Sequence, residues 1–138
     1  HICFYSENAI LLFSGDVLFS LGCGRVFEGT NEQMWSSLLK IRSLPDRTNV
    51  YCGHEYTKSN ILFALSLDPE NKKLLSKKND VENLLRNGKF TVPFNLGIEK
   101  NLNPFLNSDN RSFQKMLGMN DYSSQKTFNY IRKKKDIF

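Results

Sequence analysis

Two short β-prone runs, His1–Tyr5 and Ala9–Ser14, are split by the polar Ser6-Glu7-Asn8, the pattern of two adjacent strands or a hairpin. Gly15-Asp16 closes the second run. A glycine-punctuated loop follows, from Leu21 through Gly22-Cys23-Gly24 to Arg25, and Gly29 ends it. Thr30 then stands three residues before Gln33, the spacing of a capping box. Met34, Leu38 and Ile41 recur on one helical face until Pro45 stops the pattern, so this helix should bury one side. A turn over Asp46–Asn49 leads into a third strand, Val50-Tyr51-Cys52, which ends at Gly53-His54.

Beyond that point the period becomes helical. A second helix is expected from about Glu55 to Leu67. A third is expected to start at Pro69, with Leu74, Leu75, Val81, Leu84 and Leu85 at helical spacing until Asn87-Gly88. Thr91–Asn107 contains Pro93 and Pro104 and reads as an ordered loop; weaker helical patterns cover Arg111–Leu117 and Ser123–Lys135. The change of character near residue 60 predicts two units. The first has too few strands to close a two-layer core, so it is expected to complete a sheet whose other strands lie elsewhere.

At 138 residues and 40% hydrophobic the chain can fill an ordinary domain. Its first residue opens directly on an apolar run, which suggests a chain cut inside a fold. No apolar stretch approaches the roughly 18 residues of a membrane span, and no leader pattern is visible, so a soluble protein without membrane partners is expected. Three scattered cysteines, Cys3, Cys23 and Cys52, form no C-x-x-C pair and fit a reducing, cytoplasmic setting. Cys23 and Cys52 read as small thiols filling tight corners.

The net charge of +5 is uneven: residues 1–60 carry 5 basic and 6 acidic side chains, residues 61–138 carry 14 and 8. Such a bias fits nucleic acid, an acidic surface or a small anion. The excess amounts to a few residues and lacks aromatic-basic interleaving, which argues against nucleic acid.

Asp16 and His54 each follow an apolar strand-like run through a glycine, at strand ends where loops gather and ligands bind. Carboxylate and imidazole together suit zinc, iron or manganese, but a catalytic zinc site usually takes three protein ligands, so others must come from elsewhere. Taken alone, Gly-Asp is a turn and Gly-His a helix start. The surrounding wording changes this. Ile10–Phe19 (ILLFSGDVLF), Gly22–Thr30 (GCGRVFEGT), Val50–Thr57 (VYCGHEYT), Thr91-Val92-Pro93, Asn103–Leu106 (NPFL) and Arg132–Asp136 (RKKKD) follow one another in the order and spacing of the hydroxyacylglutathione hydrolase (glyoxalase II) family, which the chain resembles along essentially its whole length.

That resemblance implies an α+β fold: the C-terminal part of a metallo-β-lactamase-type αββα sandwich over residues 1–60, then an all-α domain over 61–138. It implies hydrolysis of S-D-lactoylglutathione to D-lactate and glutathione, within methylglyoxal detoxification, at a centre of two divalent metal ions. Asp16 matches the bridging Asp and His54 a terminal His ligand. Two ions close together lower the pKa of a shared water, so hydroxide is present near neutral pH to attack the thioester. Glutathione thiolate leaves without much help.

Arg25 and Phe27 match an element that contacts glutathione, Tyr56 matches the Tyr of the His-Glu-Tyr segment, and Arg132 through Lys135 match a basic cluster facing the glycine carboxylate. Of these four, Arg132 and Lys135 share a helix face, which favours them over Lys133 and Lys134. Phe27 lacks a hydroxyl that some members carry. The family's other ligands, a His-x-His-x-Asp-His motif and one further His, have no counterpart here, and His1 matches a non-ligand His. The expected partners are therefore a glutathione thioester and the missing N-terminal half of the same fold; the alternative is a non-catalytic split-gene or truncated product that binds only glutathione-like anions.

Overall fold

A computed structural model describes His1–Phe138. Strands β1 (Phe4–Ser6) and β2 (Leu11–Gly15) pair antiparallel, Phe4 opposite Phe13. A small hairpin, β3 (Leu18–Phe19) and β4 (Gly22–Cys23), turns back through Ser20 and Leu21. Helix α1 (Asn31–Arg42) then crosses to β5 (Asn49–Cys52), which lies parallel to β2. The capping box is present in full: Thr30 Oγ1 accepts from the Gln33 amide and Gln33 Oε1 accepts from the Thr30 amide.

Five further helices and one short strand follow: α2 (Thr57–Leu67), α3 (Lys72–Arg86), β6 (Phe94–Asn95), α4 (Leu96–Leu102), α5 (Arg111–Met116) and α6 (Ser124–Asp136). None of the helices is long and apolar enough to cross a membrane. Three expectations need correction. Thr91–Asn107 is not a loop throughout: Phe94 pairs with Val50, and Asn95 caps α4 by accepting from the Ile98 amide. The third helix starts at Lys72 instead of Pro69, because the Asn71 side chain accepts from the Lys73 and Leu74 amides and sets the N-terminus there. The glycine-punctuated loop likewise contains a strand, β4, which pairs back on β3.

The sheet order is β1-β2-β5-β6, so its fourth strand comes from the mainly helical half. Period-two alternation separates its faces. Leu12, Val50 and Phe94 are neighbours in register and buried, facing a core that includes Trp35, Leu38 and Ile41 of α1 and Phe105, Phe128 and Ile131 from the C-terminal half. Met34, expected with that stripe, is only half-buried. Phe128 lies 5.7 Å from Trp35 and 5.9 Å from Phe105, ring centre to ring centre. Truncating such a buried ring costs about 3–5 kcal/mol. The opposite face carries Phe4, Phe13 and Tyr51, exposed at 67%, 48% and 37%, with Phe13 stacked on Tyr51 at 5.4 Å. One side of the sheet is thus a core face and the other an open apolar row.

Candidate active site

β2 and β5, being parallel, end on the same side, and this brings Asp16 and His54 together. The Gly53 amide donates to the Gly15 carbonyl at 2.9 Å, joining the two strand ends. Gly15 has φ +51, a left-handed conformation that a side chain would strain. A Cβ on Gly53 would stand 2.6 Å from Asp16 Oδ1, so this glycine keeps space for the carboxylate. Asp16 Oδ1 and His54 Nε2 are 3.8 Å apart, both partly exposed. Two donors at that separation are close enough to be neighbours in one coordination shell, and the carboxylate-imidazole pair suits a divalent ion. They have no third companion: no group of three or more His, Cys, Asp or Glu side chains is arranged to hold a metal.

All seven residues singled out in the sequence, Asp16, Arg25, Phe27, His54, Tyr56, Arg132 and Lys135, line one cleft of about 500 Å³. They arrive from four places in the chain: the end of β2, the segment after β4, the end of β5 and helix α6. His1 also lines it. His54 and Tyr56 meet edge to face at 5.2 Å, and Phe19 of β3 stacks on His54 at 6.4 Å and meets Tyr56 edge-on at 5.0 Å. The three rings thus form one aromatic cluster, with Phe19 and Tyr56 on the same side of the imidazole. Phe27 projects at the rim, 82% exposed.

The basic wall is less uniform than its sequence. Arg132 is 4% exposed and donates to the Cys23 and Gly24 carbonyls at 2.9 and 3.3 Å, while its Nε and Nη2 meet Asp136 Oδ1 at 3.1 and 2.9 Å. Its guanidinium ties α6 to the segment that delivers Arg25. Lys135 is half-buried: Nζ donates to the Ser59 carbonyl at 3.4 Å and lies 5.1 Å from the centre of the Phe63 ring. Burial, then the charges of Arg132 and Arg25, draw its ammonium pKa below the usual lysine value. Lys133 and Lys134 are exposed. Burial pushes the Cys23 thiol up to about 11, leaving it no thiolate character near neutral pH.

Several contributors were missed in the sequence. Phe19, Ser59 and Asn60 also line the cleft. Behind it, fully buried Glu99 of α4 accepts from Ser20 Oγ at 2.8 Å, the Leu21 amide at 2.7 Å and Asn103 Nδ2 at 3.0 Å. Asn60 Nδ2 donates to the Ser20 carbonyl and Asn103 Nδ2 to the Phe19 and Gly22 carbonyls. This network holds the β3–β4 turn, where Leu21 has φ +59, and with it Phe19. The partners lie 78 and 79 positions apart along the chain for Glu99, so no local spacing announces them.

A family model described as hydroxyacylglutathione hydrolase C-terminus matches residues 55–138, and one described as metallo-beta-lactamase superfamily matches residues 1–54. The chain is similar to hydroxyacylglutathione hydrolase of Bartonella henselae, 54% identical over 137 residues, covering 99% of this chain and 54% of that protein. It is also similar to hydroxyacylglutathione hydrolases of Rhizobium johnstonii and Rhodospirillum rubrum, each 48% identical over 138 residues, covering 100% of this chain and 54% of each relative. The chain thus spans about half the length of the curated relatives it matches.

Proposed function

Because this chain belongs to the hydroxyacylglutathione hydrolase family, we propose that it supplies the glutathione-facing side and two metal ligands of a glutathione thioester hydrolase acting on S-D-lactoylglutathione. The observation that carries this reading is the convergence of seven residues from four separate segments on one cleft. Residues 1–60 bring Asp16 and His54 as ligands, and residues 61–138 bring the basic wall.

Within the cleft, Arg25 and Lys135 offer cations to the carboxylates of glutathione, a pairing stronger than a neutral hydrogen bond. Arg132 holds the loop that carries Arg25. Tyr56 offers a phenol hydroxyl beside His54, and Phe19 and Phe27 offer apolar surface to the tripeptide and its acyl group. Asp16 and His54 would hold a divalent metal, zinc by preference, and the metal when bound would supply activation of water for attack on the thioester carbonyl. The remaining ligands come, in this reading, from the N-terminal half of the fold. The open row Phe4, Phe13 and Tyr51 is the surface on which that half would pack.

A second reading rests on the donor count: Asp16 and His54 form no group of three. By itself the chain then binds glutathione-like anions without catalysis. Both readings require the anion cleft, and titration of the chain with glutathione, followed by NMR, examines it. Shifts concentrated at Arg25, Tyr56 and Lys135, and weakened binding in Lys135→Ala, are expected. Shifts spread over the exposed lysines of α3 would argue for unspecific charge attraction instead.

A further inference from the structure

The basic wall contains a carboxylate of its own. Asp136, the last residue of α6, receives Arg132 through Oδ1 at 2.9 and 3.1 Å, and the same oxygen lies 3.5 Å from Arg25 Nε. Arg25 Nη2 also donates to the Asp136 backbone carbonyl at 3.4 Å, at a helix C-terminus where the peptide dipoles present partial negative charge. The two arginines differ in their other attachments. Arg132 is buried and keeps the Cys23 and Gly24 carbonyls as partners, whereas Arg25 has a side chain 56% exposed and no other acceptor. Arg25 also lines both the main cleft and the adjoining groove in which Asp136 stands.

We infer that Asp136 is a positioning residue that parks Arg25 on the groove side, as an internal competitor from which a ligand carboxylate in the cleft must draw the guanidinium. The inference rests on the glutathione reading of the cleft and adds to it a residue that tunes affinity. It follows from charge and geometry: one carboxylate shared by two guanidiniums, only one of which is otherwise anchored. Removing the Asp136 charge leaves Arg132 held by two backbone carbonyls and leaves Arg25 only the Asp136 backbone carbonyl, a weaker hold against the ligand. An exposed pair of this kind is worth little, so the gain is modest and sensitive to salt.

The test compares the chain with Asp136→Asn, Arg25→Ala and the double variant, titrating each with glutathione at low ionic strength and recording the arginine Nε–Hε signals. Asp136→Asn should bind glutathione about two- to fivefold more tightly than the parent. The gain should vanish when Arg25 is alanine, a coupling that a merely structural role would not produce. The Arg25 Nε–Hε signal should move in Asp136→Asn before any ligand is added. Equal or weaker binding by Asp136→Asn, or a gain that persists without Arg25, overturns the inference. If no form of the chain binds glutathione, the cleft reading fails, and an Arg25 signal unmoved by Asp136→Asn overturns the parking role separately.

Discussion

The backbone carbonyl of Asp16 occupies the space that a Cβ on Gly24 would need. The Gly24 amide in turn donates to the Val17 carbonyl at 3.3 Å, so the segment after β4 lies flat against the strand end that carries the candidate ligand. Gly24→Ala must push one backbone away from the other. A destabilisation of about 2–3 kcal/mol is expected in urea unfolding, as for other overpacked sites. NMR shifts should concentrate at Asp16 and Arg25. A variant as stable as the parent would mean that the two segments are not held in contact.

Glu99 carries a second expectation, for pH. Burial raises its carboxyl pKa above the ordinary value even though Leu21, Ser20 and Asn103 donate to it. A folded pKa above the unfolded one contributes stability that is complete below about pH 4 and is lost as pH rises through the folded pKa. Glu99→Gln removes this titration. Unfolding measured from pH 4 to pH 7 should therefore move the stability difference in favour of Gln as pH rises. Glu99→Ala, which strands buried donors, should cost about 3 kcal/mol near pH 4 and less as pH rises and the parent loses its Glu99 contribution. A pH-independent gap between parent and Gln would contradict the assignment.

The Arg42–Asp109 pair has the opposite sign. Arg42 Nη1 and Nη2 each meet an Asp109 oxygen at 2.6 Å, a bidentate fork. Hydrogen bonds from Arg42 hold the Asp109 carboxyl below its usual range. Stability from this pair is present above the unfolded carboxylate pKa and is lost as pH falls through the folded one. Because both side chains are about a third exposed, the loss in Asp109→Asn at pH 7 should stay under about 1 kcal/mol. The difference from the parent should shrink on acidification below about pH 4. A difference that grows in acid would refute the pairing.

Local chemistry was what the sequence displayed well. Thr30 and Gln33 announced their capping box, and the runs before Gly15 and Gly53 announced strands ending near one another. Five of the cleft residues were legible because their motifs sit at turns and strand ends, where the wording is distinctive, whereas Arg132 and Lys135 of helix α6 were picked out by the family resemblance and their shared helix face. What stayed hidden is non-local. Pro93 and Pro104 made Thr91–Asn107 look like a loop, while the pairing of Phe94 with Val50 became visible only once β5 was in place. Asp136 was masked by the basic run before it. Arg132 read as an open cation because its acceptors, the Cys23 and Gly24 carbonyls, lie more than a hundred residues away in the chain.

The most direct test of the central claim is to join this chain in frame to the N-terminal half of a relative such as the Bartonella henselae protein, then measure bound metal and S-D-lactoylglutathione hydrolysis on the same sample. About two metal ions per chain and hydrolysis are expected in the joined protein. Asp16→Ala and His54→Ala should each lower the metal count and reduce hydrolysis at least a hundredfold, on the order expected when a ligand or its support is lost. A folded joined protein that binds no metal, or that hydrolyses the thioester equally well without Asp16 and His54, would contradict it.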